Sequence, residues 1–152
     1  MYGETMILMI EEMKDQYREL VSFFIEQGLE FDPSEKEGPV PDEILKCWGA
    51  FDEFENQMGA CVLATRDDEY ICNGIAVYPE FRGKNVGSML LDFLLQEVAN
   101  LGGKRVFLVA RAPEFFIENG FVPVEEGEAP AFAECETDDS CHPQILKFDA
   151  FA

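Results

Sequence analysis

Residues 75–88, with the sequence IAVYPEFRGKNVGS, contain the pattern that decides the fold. An apolar run ends in a turn that carries Pro79 and Gly83, two residue types that interrupt regular structure. Directly after the turn, apolar residues recur on one helical face, at Val86, Leu90, Leu94, Val98 and Leu101. The stretch therefore predicts a strand, a glycine-containing turn and an amphipathic helix in immediate succession.

The start of that helix is a predicted anion site. The first backbone N–H groups of a helix lack intrahelical partners, and the helix dipole adds positive potential there. Gly83 and Gly87 allow a close approach of backbone and anion, and Arg82 and Lys84 add positive charge. The stretch has neither the ending of a P-loop nor the spacing of a Rossmann glycine motif. It predicts a phosphate or pyrophosphate site without naming the nucleotide.

The order of the predicted elements indicates an α/β domain built on a mixed sheet. Hairpin-connected strands precede the turn, and a helix–strand–helix–strand series follows it. In chain order, the prediction is a strand at 5–10, a helix at 13–27, strands at 44–51, 58–65 and 69–77, a helix at 86–101, a strand at 105–110, a helix at 113–119, and strands at 121–124 and 144–151. This order predicts one domain over residues 1–152.

Charge and hydropathy exclude several classes of partner. Thirty-one acidic residues against eleven basic ones give a net charge of −20, which argues against nucleic acid and anionic membranes. No apolar run reaches the roughly 18 residues that a membrane span needs. Residues 1–10 lack the basic flank of a signal peptide, which predicts a cytoplasmic protein. The sequence leaves a homodimer open.

The five cysteines do not predict a disulfide framework, because their number is odd and no export signal is present. Cys135, Cys141 and His142 are close in sequence. They contain no CxxC pair, and a fourth ligand is not evident. No metal is predicted.

The motif from Val77 to Gly87 resembles the acetyl-CoA pyrophosphate loop of the GNAT N-acetyltransferase superfamily, whose usual form is Arg/Gln-x-x-Gly-x-Gly/Ala. Asn85 stands at the middle glycine, and Asn tolerates left-handed backbone geometry well. A second stretch, FFIENGF at residues 115–121, is similar to the helix-to-strand signature FYxxxGF of that family. The resemblance covers residues 5–124. It implies a mostly antiparallel sheet that splays at one parallel strand pair, with flanking helices.

The resemblance also implies how acetyl-CoA binds. A V-shaped opening is expected between the strand ending at Val77 and the strand at 105–110, with the pantetheine along the first strand and the pyrophosphate on the loop amides. The implied cofactor-binding residues are Ile75, Ala76, Val77, Arg82, Gly83, Lys84, Asn85, Val86, Gly87, Ser88 and Phe116. The implied reaction is direct attack of an amine, on a small molecule or a peptide, on the thioester. Catalysis then consists mainly of positioning and of carbonyl polarisation by a backbone N–H.

Three positions depart from the pattern of the family. Phe116 replaces a Tyr that protonates the leaving thiolate, Val109 replaces an Asn, and Ile71 replaces a Glu that acts as a base. Asn73 is the candidate catalytic residue, since it could hold a water near the amine, although a structural Asn is an alternative. It is the polar member of a predicted alternating face formed by Ile71, Asn73, Ile75 and Val77. A domain that binds acetyl-CoA without turnover, for sensing or assembly, stays an alternative function.

Two features point to different acceptors. Residues 110–116, ARAPEFF, look like a segment of N-acetylglutamate synthase acetyltransferase domains, and residues 144–147 are similar to their final strand. Arg111 is then a candidate carboxylate partner, or it only caps the surroundings of the short helix. Nine acidic residues and no Lys or Arg lie between Arg111 and Lys147, which would favour a cationic amine by steering or only form a solvated surface.

Overall fold

The protein is described by a computed structural model over residues 9–29, 40–110, 113–124 and 144–149. These residues form seven strands and three α-helices. In chain order they are β1 (Met9–Glu12), α1 (Tyr17–Glu26), β2 (Ile44–Phe51), β3 (Gln57–Arg66), β4 (Glu69–Val77), α2 (Val86–Asn100), β5 (Val106–Ala110), α3 (Glu114–Glu118), β6 (Val122–Pro123) and β7 (Gln144–Phe148). Short 3-10 turns at Lys14–Gln16 and Pro79–Phe81 precede α1 and α2.

The strands form one mixed sheet in the order β1-β2-β3-β4-β5-β7-β6. Every neighbouring pair is antiparallel except β4 and β5, which run parallel. A helix, α2, connects the two parallel strands, as a parallel connection requires. The predicted mixed α/β sheet with flanking helices is confirmed.

The parallel pair separates soon after it begins. β4 and β5 are in register only at Tyr70 with Val106 and at Ile71 with Phe107. On its other side, β5 pairs with β7 over all five of its residues. Residues 72–77 of β4 therefore have no partner strand on the β5 side among the described residues, and the sheet opens there into the predicted V.

The helices α1 and α2 cover opposite faces of the sheet. Alternate residues of β3 face the two layers: Cys61 and Leu63 join the core formed with α2, while Ala60, Val62 and Ala64 join the core formed with α1. The α2 layer is built from Val86, Leu90, Leu91, Leu94, Leu95 and Val98. The α1 layer is built from Tyr17, Leu20, Val21, Phe23 and Phe24.

The N-terminal boundaries differ from the prediction. β1 extends to Glu12, because its backbone pairs with Trp48 of β2, whereas a strand ending at residue 10 was predicted. The helix begins at Tyr17 instead of residue 13. The N–H of Met13 donates to the carbonyl of Cys47 at 2.7 Å, which keeps Met13 beside the sheet. Long-range pairing with β2 thus decides where β1 ends and where α1 can begin.

A β-bulge interrupts β4 at Asn73. The β3 residues Val62 and Leu63 are consecutive, but their partners in β4 are Gly74 and Cys72. Asn73 is therefore an extra residue with no partner in the register, and its side chain is half-buried. Bulges of this kind occur next to functional sites, where they redirect side chains.

The bulge changes the face on which the rest of β4 lies. Ile71 packs in the core formed with α1, whereas Ile75 and Val77 pack against the core formed with α2. The predicted alternation that placed Ile71, Asn73, Ile75 and Val77 on one face is wrong, because the extra residue breaks the two-residue period of the strand.

Candidate functional site

The open edge of β4 presents the backbone of two residues. The N–H of Tyr78 donates to the carbonyl of Met58 in β3 at 2.8 Å. Because the backbone groups of successive residues point to alternate edges of a strand, Ala76 also faces β3. Ile75 and Val77 therefore face the opening. Of the three residues implied to hold the pantetheine, Ile75 offers its backbone groups to it and Val77 offers its N–H, since the Val77 carbonyl accepts a hydrogen bond from Nε of Arg82.

The loop after β4 turns sharply into α2 through two left-handed residues. Gly83 has φ of +81° and Asn85 has φ of +64°. Asn85 precedes α2 directly, and its carbonyl accepts the N–H of Met89 at 3.0 Å as the first helical bond. Asn85 thus adopts the left-handed geometry that its place in the motif predicts.

The first amides of α2 are available to a ligand. Since the helical bonds begin with Met89, the N–H groups of Val86, Gly87 and Ser88 have no acceptor within the helix. They lie at the positive end of a 15-residue helix. The open β4 edge leads directly to these amides. The arrangement fits an extended, amide-containing arm followed by a pyrophosphate.

The two cations of the loop have different environments. Lys84 is exposed, and among the described residues it forms no ion pair. The side chain of Arg82 is turned back toward the protein. Its Nε donates to the carbonyl of Val77 at 3.0 Å, and one terminal nitrogen donates to Oε1 of Gln27 at 3.0 Å. Both acceptors of Arg82 are uncharged, so neither cation of the loop is paired with an acid among the described residues.

The short helix α3 packs against the start of α2. A Cβ built on Gly87 would lie 3.2 Å from Cζ of Phe115 and 3.7 Å from Cγ2 of Val77. Glycine at position 87 therefore allows α2, α3 and the end of β4 to meet. The sequence predicted Gly87 for its closeness to an anion and did not predict this packing.

Phe116 belongs to a line of aromatic rings that packs against the core formed with α2. Its centroid lies 5.1 Å from that of Phe115 and 5.9 Å from that of Phe121. Phe121 continues the line to Phe148 of β7, with centroids 5.4 Å apart. Phe116 is half-buried in this apolar cluster and has no group that exchanges a proton.

Ile71 and Val109, which stand where the family has a Glu and an Asn, also lie in apolar surroundings. Ile71 is 3% exposed and packs in the core formed with α1. Val109 is half-buried in β5. Residues 73–77 and 106–110, where the two strands diverge, contain no acidic or basic side chain. Asn73 is the polar side chain that these strands supply.

The remaining candidates lie outside the described residues. These are Arg111, Cys135, Cys141, His142 and the acidic residues from Glu125 to Asp139. Within the described ranges, no three His, Cys, Asp or Glu side chains are grouped so as to hold a metal ion. None of the described helices is long and apolar enough to cross a membrane.

The other three cysteines are buried thiols. Burial raises the pKa of Cys47 and of Cys72 to about 12. It also raises the pKa of Cys61 well above its ordinary value, and the Cys61 thiol lies 3.8 Å from the carbonyl of Leu90. A nucleophilic cysteine needs a lowered pKa, so these thiols act as small core residues.

Sequence reasoning missed three contributors to this site. Gln27, at the end of α1, contacts Arg82 from 55 positions away. Phe23 of α1 stacks on Tyr78 with ring centroids 4.5 Å apart. Phe115 contacts the start of α2. The contacts join distant segments, and nothing in the local pattern signals them.

Comparison with known proteins supports the architecture. A family model for the acetyltransferase (GNAT) domain matches residues 43–123, which include β4, the loop and α2. No curated protein matches the sequence of the chain. Many solved structures share the fold.

A GNAT-family acetyltransferase from Staphylococcus aureus Mu50 superimposes with a TM-score of 0.72 at 18% identity, covering 94% of this chain and 99% of that one. N-acetylglutamate synthase from Neisseria gonorrhoeae, solved with coenzyme A and N-acetylglutamate, gives 0.70 at 21% identity, covering 97% and 36%. The ribosomal-protein-S18-alanine N-acetyltransferase of Escherichia coli gives 0.67 at 14% identity, covering 94% of each chain. Identities this low show a shared fold and leave the substrate open.

The family model covers more than half of the 152 residues and includes the whole of the opening, its loop and the helix behind it. With its strands parted at one parallel pair and its loop amides free at the start of α2, this chain belongs to the GNAT acetyltransferase family.

Proposed function

We propose that this chain is an N-acetyltransferase that moves an acetyl group from acetyl-CoA to the primary amine of a small molecule or a peptide. The observation that carries the proposal is the open edge of β4, where Ile75 and Val77 face a gap that leads to the free amides of α2. An extended cofactor arm can pair with that edge as an added strand, and its pyrophosphate can occupy the start of the helix.

The proposed cofactor residues fall into three groups. The backbone of Ile75 and the N–H of Val77 would pair with the pantetheine, and Ala76 lies between them in the strand. The amides from Arg82 to Ser88 would surround the pyrophosphate, with Lys84 supplying charge. Phe116, with its neighbour Phe115, would form an apolar wall of the opening.

Acetyl-CoA supplies an activated acyl group as a thioester. In the proposed reaction, the amine nitrogen bonds to the carbonyl carbon, the carbon–sulfur bond breaks, and the proton of the amine passes to solvent. A thiol has an ordinary pKa of about 8.5, so it leaves as a thiolate much more readily than an alcohol does. The Phe at position 116 is therefore compatible with turnover. A backbone N–H beside the bulge would polarise the carbonyl, and Asn73 would hold a water near the amine.

The residues that would select the acceptor amine lie outside the described ranges. A carboxylate-bearing amine would use Arg111, whereas a cationic amine would be drawn by the acidic residues between Glu125 and Asp139. The two classes have opposite charge, so a panel of amines separates them.

Release of coenzyme A thiol, measured across a panel of cationic, neutral and carboxylate-bearing amines, tests the proposal. We expect thiol release that depends on the amine, with an N-acetylated product seen by mass spectrometry. Binding of acetyl-CoA without turnover on any amine would overturn the enzymatic proposal.

That outcome would favour a second function, an acetyl-CoA-binding domain for sensing or assembly. Two observations favour it: Phe116 lies in an aromatic cluster and has no hydroxyl, and Ile71 is buried on the α1 face, where no base can act. Such a domain would change its stability or its association with partners when acetyl-CoA is added. A homodimer stays a prediction under either function.

A further inference from the structure

The side chain of Arg82 forms a hydrogen bond that joins the two ends of the turn between β4 and the cofactor loop. Its Nε donates to the carbonyl of Val77, the last residue of β4, at 3.0 Å. This bond spans the turn from Tyr78 to Phe81. The conformation of the loop therefore depends on where the Arg82 guanidinium is held, although Arg82 itself is exposed.

A residue from the opposite layer of the sheet holds that guanidinium. Oε1 of Gln27 accepts a hydrogen bond from a terminal nitrogen of Arg82 at 3.0 Å. Gln27 is the C-terminal cap residue of α1, and α1 packs on the face of the sheet opposite α2. Its backbone N–H is bonded to the carbonyl of Phe23 at 3.1 Å, which fixes the position of Gln27 at the helix end.

A ring contact supports the same junction. Phe23, one turn earlier in α1, stacks against Tyr78 with centroids 4.5 Å apart, and Phe23 is 4% exposed. Tyr78 follows β4 directly and begins the loop. The end of α1 therefore contacts the loop at two points: Phe23 contacts Tyr78, and Gln27 contacts Arg82.

We propose that Gln27 is a positioning residue for the cofactor loop: by orienting the Arg82 guanidinium against Val77, it keeps the loop in the conformation that binds the pyrophosphate. The proposal rests on the acetyl-CoA site proposed above. Its basis is geometric, because the guanidinium holds two donors in a fixed fork, and Arg82 uses them for the Val77 carbonyl and the Gln27 amide oxygen. A lysine at position 82 would keep the charge and lose the fixed fork.

Calorimetric titration with coenzyme A tests the proposal on three variants of the full chain. Gln27→Met keeps the length of the side chain and removes its oxygen, and Arg82→Lys keeps the charge and removes the fork. We expect each to raise the Kd for coenzyme A about fivefold, the effect of losing one solvent-exposed hydrogen bond to a charged group. The double variant should bind no more weakly than either single variant, because both remove the same contact.

Gln96→Met is the matched control, since Gln96 is an exposed glutamine on α2. It should leave the Kd unchanged. In turnover, Gln27→Met should raise KM for acetyl-CoA and leave kcat and KM for the amine unchanged. A merely structural role of Gln27 would change all three together with the thermal midpoint.

The results separate the two proposals. If the wild-type chain does not bind coenzyme A, the proposed function is overturned. If the wild type binds and both Gln27→Met and Arg82→Lys bind equally well, Gln27 has no positioning role and the cofactor site stands. Should Gln27→Met fail to fold, Gln27→Ala removes the same oxygen, and binding equal to that of the wild type by that variant overturns the positioning role.

Discussion

Gly87 at the start of α2 and Phe115 in α3 are in contact: a Cβ on Gly87 would lie 3.2 Å from Cζ and 3.4 Å from Cε1 of the Phe115 ring. The helix that would bind the pyrophosphate is thus packed against α3. We therefore expect position 87 to affect cofactor binding through packing as well as through closeness to an anion.

Gly87→Ala should weaken coenzyme A binding severalfold while the chain stays folded. The new methyl group forces the Phe115 ring or the start of α2 to shift, and that shift displaces the amides from Val86 to Ser88. Overpacking costs about 1–3 kcal/mol, and the gain in helix propensity offsets about 1 kcal/mol of it. Calorimetry with coenzyme A and urea unfolding measure the two effects.

Adding Phe115→Leu to Gly87→Ala should restore most of the binding, because leucine lacks the Cζ and Cε1 atoms that the methyl group meets. Phe115→Leu alone is the control for the loss of the ring. If the double variant binds no better than Gly87→Ala, the methyl group acts on the anion directly and the packing explanation is wrong.

Lys84→Gln should weaken coenzyme A binding about fivefold at 0.1 M salt, since Lys84 is an exposed cation two residues before the free amides of α2. The loss should shrink at 1 M salt, where the screening length falls to about 3 Å. Combined charge reversal at Arg82 and Lys84 should abolish binding in a chain that still folds.

Lys104→Gln is the matched control for Lys84→Gln. Lys104 is an exposed lysine in the turn between α2 and β5, at the other end of the parallel pair. An equal effect of the two substitutions would mean that net charge, and not a local site, governs binding.

Gly59→Ala should destabilise the fold by about 1–3 kcal/mol, because the added Cβ would lie 2.6 Å from the carbonyl oxygen of Ala76. That oxygen is backbone and cannot rotate away, so β3 and β4 must separate beside the open edge. Urea unfolding measures the loss of stability. Unchanged stability would show that the two strands move apart here at no cost.

The buried thiols should be inert in the native state. With the pKa of Cys47 and Cys72 raised to about 12, roughly one thiol in ten thousand is ionised at pH 8. A variant with Cys135→Ser and Cys141→Ser should therefore react slowly with a thiol reagent until urea unfolds it, and then titrate three cysteines. Rapid reaction of the native variant would contradict the burial of these thiols.

The pH dependence of turnover should follow the acceptor. Residues 73–77 and 106–110 contain no acidic or basic side chain, Ile71 is buried, and Phe116 has no titratable proton. For a lysine-like amine with a pKa of about 10.4, kcat/KM should rise about tenfold per pH unit through pH 7 to 9, as the neutral amine increases. A plateau beginning near pH 7 would indicate a base supplied from outside these strands.

The sequence predicted most of the element order because local patterns carry it. Two strands, Ile44–Phe51 and Glu69–Val77, have the predicted ends, since turn residues bound their apolar runs on both sides. The prediction failed at β1 and α1, where Glu12 pairs with Trp48 and Met13 bonds to Cys47. Those partners lie more than 30 positions away, and local periodicity does not record them.

The prediction that Ile71, Asn73, Ile75 and Val77 share one face of β4 was wrong for a related reason. A period of two assumes one residue per position in the ladder, and the bulge at Asn73 adds a residue that only the pairing with Val62 and Leu63 of β3 reveals. The positive φ at Asn85 was predictable, because the residue type and its place before a helix both favour it.

The sequence by itself determined the strand–turn–helix at residues 75–88, the family resemblance and the expectation that the chain does not bind nucleic acid, since spacing and charge are properties of the chain. Only the tertiary structure decided that Ile75 and Val77 face the opening, that Phe115 contacts Gly87 and that Gln27 holds Arg82. Each of these depends on how separate elements pack, and packing joins residues whose types and spacing contain no record of one another.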